Sequence, residues 1–149
     1  MNRILIASII AFASIVGFAS TAAAQDSNVA RCWKTIDDET NKPKSIVKIE
    51  KKGSKYTGTI IKLFRGEGED QNPMCTECSG AKKNKPIIGM QILWDLVQDD
   101  DEYEDGTILD PANGKTYDAK IWREGKNLKV RGYLGIFYRT QTWRPAKCP

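Results

Sequence analysis

The sequence predicts an all-β fold: an eight-stranded antiparallel up-and-down barrel in a single domain. Two observations carry that expectation. Short runs of β-forming residues recur with turn signals between them, and the signals Asp110-Pro111, Asn113-Gly114 and Glu124-Gly125 are the clearest. A strand about every 8–12 residues is the mark of an antiparallel sandwich or barrel. The second observation is the count. Eight such runs can be laid along the chain, and eight is about the number at which an up-and-down barrel closes with room for side chains or one small ligand.

The strands follow in order. Residues 30–36 form the first and carry Trp33; a polar turn over 37–43 follows. In 45–50, Val47 and Ile49 alternate with Lys48 and Glu50, the pattern of a half-buried strand. Gly53-Ser54 makes a hairpin turn into 55–64. There Gly58 marks a bulge or a close backbone approach, and a bulge accounts for the drift in alternation between Ile60 and Ile61. Residues 65–85 break the pattern with glycines, Pro73, Cys75, Cys78, Lys82, Lys83 and Lys85. A loop of about twenty residues inside a compact domain is a functional or mobile segment more often than not. Residues 86–94 resume as a strand with Ile88, Met90, Ile92 and Trp94 facing inward, although a short helix through Met90, Leu93, Trp94 and Val97 competes. An acidic loop spans 99–105. Then 107–110 pairs with 115–123, where Tyr117, Ala119 and Ile121 share the inner face. Residues 127–134 turn Leu128 and Val130 inward and Lys129 and Arg131 outward, and 136–144 closes the chain.

The first residues stand apart from the fold. Arg3, an apolar run and Ala22-Ala23-Ala24 together read as a secretory signal peptide over residues 1–24, with the barrel domain in 25–149. Its removal takes away one arginine and no acid, so the net charge falls from +4 to +3. That is too mild, and too evenly spread, for a nucleic-acid partner. No other apolar run is long enough to span a membrane. Periplasmic or secreted localisation follows.

Histidine is absent. This excludes Ser-His-Asp and Cys-His catalytic pairs, His-ligated zinc and His-ligated haem. Four cysteines remain: Cys32, Cys75, Cys78 and Cys148. An even number in an exported chain reads first as disulfides, and four cysteines allow three pairings. Closure of the barrel would bring the first strand against the end of the chain, which favours Cys32–Cys148 and leaves Cys75–Cys78. The longer bridge would stabilise by about 4 kcal/mol in the chain-entropy model.

Cys75-Thr76-Glu77-Cys78 also invites a redox reading. A reactive dithiol wants its first cysteine at a helix N-terminus, and here the motif lies in a Pro/Gly/Lys loop. Zinc would need two further ligands. A structural disulfide is the simpler reading. The acids around Asp101 and Asp105 fail the calcium-loop spacing, with Tyr103 where an oxygen ligand belongs. They read as a solvated hairpin tip. No metal, cofactor or catalytic residue is expected.

The aromatics recur through most strands. Trp33, Trp94, Tyr117, Ile121, Val130 and Trp143 are the candidate ligand-contacting residues if the interior holds a cavity, and plain core if it does not.

Several segments carry a family resemblance. They are K-P-x-S-I-V-K-I over 42–49, C-x-x-C-x-G-x-K-K-x-K-P-I-I-G-M over 75–90, G-T-I-L-D-P-x-N-G-K-T-Y over 106–117, L-K-V-R-G-Y-L-G-I over 128–136 and R-T-Q-T-W over 139–143. In these the chain resembles an uncharacterised bacterial family of small exported lipocalin-like proteins. The resemblance covers about 31–144 and implies a lipocalin-like barrel that binds an apolar or amphipathic small molecule, with no activity and no catalytic residue attached. The general lipocalin pattern sets Gly-x-Trp on the first strand under an arginine from the last. Here Arg31 stands where that glycine would be, and Arg139 or Arg144 is the expected partner of Trp33.

The leading expectation is therefore an exported, non-enzymatic binder of a small apolar or amphipathic molecule. The alternative is a solid-cored interaction protein that meets an unidentified protein partner through 65–85 and 99–105. A thiol oxidoreductase using Cys75 and Cys78 comes third. The choice turns on whether Tyr117, Ile121 and Val130 meet Val47, Ile49 and Ile92 across the interior or leave a gap.

Overall fold

The structure, a computed structural model, describes residues 28–149; the expected signal peptide and its cleavage site lie outside the described residues. Eight strands follow one another: β1 (Cys32–Ile36), β2 (Pro43–Lys52), β3 (Lys55–Leu63), β4 (Gln91–Asp99), β5 (Glu102–Asp110), β6 (Lys115–Glu124), β7 (Asn127–Leu134) and β8 (Phe137–Pro145). Each pairs antiparallel with the next, and β8 returns to β1 to close the barrel. That last seam is short, joining only Trp33 to Pro145 and Lys34 to Arg144.

The up-and-down order divides the connections between two ends. The tight turns after β2, β4 and β6 lie at one end, with the start of β1 and the end of β8. The turns after β1, β5 and β7, and the long connection from β3 to β4, lie at the other. The Cys32–Cys148 disulfide joins the start of β1 to the segment after β8 at the first end, with Cα atoms 5.3 Å apart and a sequence separation of 116. Cys75–Cys78 is the second disulfide.

Alternation puts apolar residues inside and charge outside. Val47, Ile49, Ile121, Leu128 and Val130 are all at most 2 % exposed. Outward positions carry the ion pairs Lys48–Glu50, Lys55–Asp95 and Lys129–Glu124, and Lys120 bridges Glu102 and Glu104.

Five register shifts re-aim this pattern, one between β1 and β2, one on β5 against β6, and three on β3 and β4. On β3, Val47 pairs with Ile60 and Ile46 with Lys62, so Ile61 is the extra residue. The expected bulge is thus at Ile61, while Gly58 serves a close approach: a Cβ there would stand 3.0 Å from Leu93 Cβ and 3.1 Å from Val47 Cγ1. On β4 the register against β3 slips twice, at Ile92 and again between Leu93 and Leu96. Asp95 takes a positive φ of 62° at the second slip.

Those slips correct the reading of 86–97. The segment is a strand and not a helix, but it begins at Gln91. Ile92 and Leu93 are both buried and Leu96 is fully so. Trp94 pairs with Thr107 and takes the opposite side of the sheet from Leu93 and Ile108. An alternation rule run straight through a bulge assigns Trp94 to the wrong face.

The acidic loop is also shorter than expected. β4 runs to Asp99 and β5 starts at Glu102, leaving a two-residue turn. Tyr103, inside the acidic run, is 1 % exposed and meets Tyr56 edge to face at 4.7 Å.

Candidate functional site

The interior is filled at one end and hollow at the other. At the end holding the disulfide and the tight turns, Trp33, Ile49, Tyr56, Leu96, Tyr103, Ile121 and Leu128 form a packed plug. Towards the opposite end the inward residues shrink to Thr35, Ser45, Ile60, Ile92, Ile108 and Val130, with no side chain at Gly132. A cavity of about 690 Å³ opens there. Trp143, 1 % exposed, lines its inner part.

Most of the polar groups in this cavity are already occupied by one another. Thr35 and Ser45 share a 2.7 Å hydroxyl hydrogen bond, and Ser45 N donates to Thr35 Oγ1 at 3.0 Å. Tyr117 Oη accepts from Asn113 Nδ2 at 3.0 Å. Gln141 Oε1 accepts from Trp143 Nε1 at 3.1 Å, and Gln141 Nε2 donates to Asp38 Oδ2 at 2.9 Å. Asp38 also pairs with Arg139. The rim is mixed in charge, with Lys44, Arg65 and Arg139 beside Asp37, Asp38, Glu39 and Asp110. The backbone N–H and hydroxyl of Thr40 hold the Asp37 carboxyl below its usual range. An apolar chamber with a few polar handles suits a small ligand. Among the described residues no group of three or more Cys, Asp or Glu could hold a metal ion.

The 65–85 segment is not a free loop. Cys75 and Cys78 are 1 % and 2 % exposed and belong to the core cluster. Cys75 Sγ lies 3.5 Å from Pro111 O, on the turn between β5 and β6. Gly114 makes that docking possible: its φ is +69°, and a Cβ would fall 1.9 Å from Glu77 O. The segment also reaches Trp94, whose ring centroid is 3.9 Å from Lys82 Nζ. Partial burial strips water from the Lys82 ammonium and lowers its pKa. Pro73 and Ile87 bring the segment to the cavity wall. The two segments offered together as partner contacts, 65–85 and 99–105, therefore sit at opposite ends of the barrel.

Of the candidate residues, Tyr117, Val130 and Trp143 line the cavity together. Trp33 and Ile121 lie in the packed plug, and Trp94 is half-buried under Lys82 outside the cavity. The sequence reading passed over Thr35, Ser45, Ile108, Gly132 and Gln141. The signal for Gly132 was present, because it shares a face with Leu128 and Val130.

Trp33 does have arginine partners, but not the expected ones. Arg123 of β6 and Arg31 stand 5.1 and 5.8 Å from its ring. Arg139 pairs with Asp38 instead, and Arg144 Nη2 donates to Asn41 Oδ1 at 3.3 Å. Both are therefore held by the turn after β1, at the mouth, while the Trp33 ring is in the plug.

A closed eight-stranded antiparallel barrel with a cavity at one end is a lipocalin-like architecture. It is similar to a solved structure, protein HP1028 from the human pathogen Helicobacter pylori, described as belonging to the lipocalin family. The TM-score is 0.69 at 18% identity, over 80% of this chain and 84% of that one. Over residues 32–144 the chain matches the family described as "Uncharacterized protein conserved in bacteria (DUF2147)", and it belongs to that family. No curated protein matches it.

Proposed function

We propose that this is an exported, non-enzymatic binding protein that holds a small apolar or amphipathic molecule in the open half of its barrel. The cavity carries the reading. Its volume of about 690 Å³ falls within the range of roughly 300–1,000 Å³ common to small-ligand sites. Its polar groups are satisfied internally, so an apolar occupant would strand few of them. The lipocalin-like fold supports the same reading at the level of architecture. The two disulfides support a compartment outside the cytoplasm, and with the N-terminal pattern we place the protein in the periplasm or the medium.

A solid-cored interaction protein needs no such cavity, and its two contact segments face opposite ways. A thiol oxidoreductase needs a reachable sulfur, whereas Cys75 and Cys78 are buried.

Gly132→Leu tests the cavity. A Cβ at Gly132 meets Tyr117 Cβ at 3.4 Å and Ile108 Cγ2 at 3.6 Å, both ordinary contacts, so a side chain enters the cavity without backbone strain. Native mass spectrometry of gently extracted protein should show a non-covalent adduct on the wild type. The variant should lose it while keeping its melting temperature within a few degrees. A bare wild type, with no apolar dye taken up by the refolded protein, would refute the reading.

A further inference from the structure

Seven large hydrophobic side chains are exposed among the described residues, and four of them share one hairpin tip. Leu134 is 63% exposed, Ile136 90%, Phe137 73% and Tyr138 61%, around the turn between β7 and β8. The turn itself does not require them. It needs Gly135 at φ +61°, and a polar residue at 136 would serve it as well. Phe64 is exposed on the same rim, and Met74 follows the rim residue Pro73. Only Val97 lies towards the far end.

We propose that the 134–138 tip inserts into the surface layer of a lipid bilayer and docks the barrel mouth-down, so that the cavity opens onto the acyl region. Position and size favour this occupant. Leu134, Phe137 and Tyr138 of the tip also line the cavity mouth, so a layer that takes up the tip lies over the opening. A standard dimer interface engages about 20–30 residues on each side, and five residues cannot supply that.

Charge favours it as well. Arg131 lies 4.3 Å from the Tyr138 ring, and Lys34 and Lys62 lie 5.8 and 5.3 Å from the Phe64 ring. Tyr138 and Phe64 thus each have at least one cation near the ring. Long basic side chains beside buried apolar tips reach back to anionic headgroups. The rim carboxylates Asp37, Glu39 and Asp110 oppose this attraction, while Asp38 is engaged by Arg139. Attachment by so small a tip is reversible.

The inference goes beyond the cavity reading, because docking needs no occupant in the cavity. Flotation with phosphatidylethanolamine–phosphatidylglycerol vesicles tests it on the mature protein. Wild type should rise with the vesicles. The double substitution Ile136→Asp with Phe137→Asp should lower its partition by about tenfold or more, since both side chains are exposed and their loss spares the fold. Gly132→Leu should float like wild type even as it loses its ligand, so the two proposals fail separately. Wild type left in the aqueous fraction, or a double variant that floats equally well, would overturn the proposal. So would a concentration-dependent dimer that the double variant abolishes in the absence of vesicle binding, because the tip would then belong to a second copy.

Discussion

The two ends of this barrel are built on the same wall and the same alternation, yet one is filled and the other is hollow. The plug contains Trp33, Tyr56 and Tyr103 in contact with long aliphatic side chains. At the open end many inward positions carry β-branched, hydroxylated or absent side chains, with Trp143 at the inner limit of the space. The docked Cys75–Cys78 segment and the hydrogen bonds around Asp38 lie at that rim. Capacity to hold a ligand thus comes from what is missing along a few inward positions, and stability from what is crowded along the others.

Large-to-small substitution should cost much more in the plug than at the cavity. Tyr103→Ala removes a buried ring from a packed site and should destabilise by about 4 kcal/mol, against about 1 kcal/mol for Ile108→Ala, whose side chain already borders empty space. Denaturant titration of both variants measures the contrast, and equal losses would mean that the two ends are packed alike. Replacing both Cys75 and Cys78 by Ala should cost about 2 kcal/mol, the chain-entropy value for so short a loop. Because this segment forms part of the cavity wall, dye uptake should fall alongside the melting temperature, a coupling that plug variants of equal cost should lack.

The smallest effect belongs to the outer face. Lys120 hydrogen-bonds Glu102 and Glu104, which raises the Lys120 pKa above its usual 10.5 and lowers that of Glu104 below 4.5. The Glu104 contribution is present above pH 4.5 and is lost as pH falls through the depressed value. The Lys120 contribution is present below pH 10.5 and is lost as pH rises through the raised value. Lys120→Met should therefore flatten the acid limb of a melting-temperature profile by an amount near the limit of detection, as solvent screens these groups.

Much of the wall was legible because strand alternation is local. β7 was bounded to the residue, and Tyr117, Ala119, Ile121, Leu128 and Val130 were placed on the inner face from their spacing alone. Two residues escaped for physical reasons. Tyr103 sits among four acids, so its neighbours hid a core residue whose burial depends on Tyr56 across the interior. Trp94 follows an inserted residue at Ile92, and a single insertion exchanges the faces of everything beyond it. Of the cavity, only Tyr117, Val130 and Trp143 were legible, and its size was not. Its volume is the difference between barrel diameter and the side chains that meet at one depth, and that depth is set by the bulges on β3, β4 and β5.

The short seam between β1 and β8 has one more consequence. The described residues before β1 and after β8 both lie on the side of the plug, where Arg123 Nη1 donates to Asn28 O at 3.0 Å and Ala146 N donates to Cys32 O at 3.1 Å. A surface, label or fusion partner attached after Pro149 would therefore join the molecule at the plug and leave the mouth pointing away from the attachment.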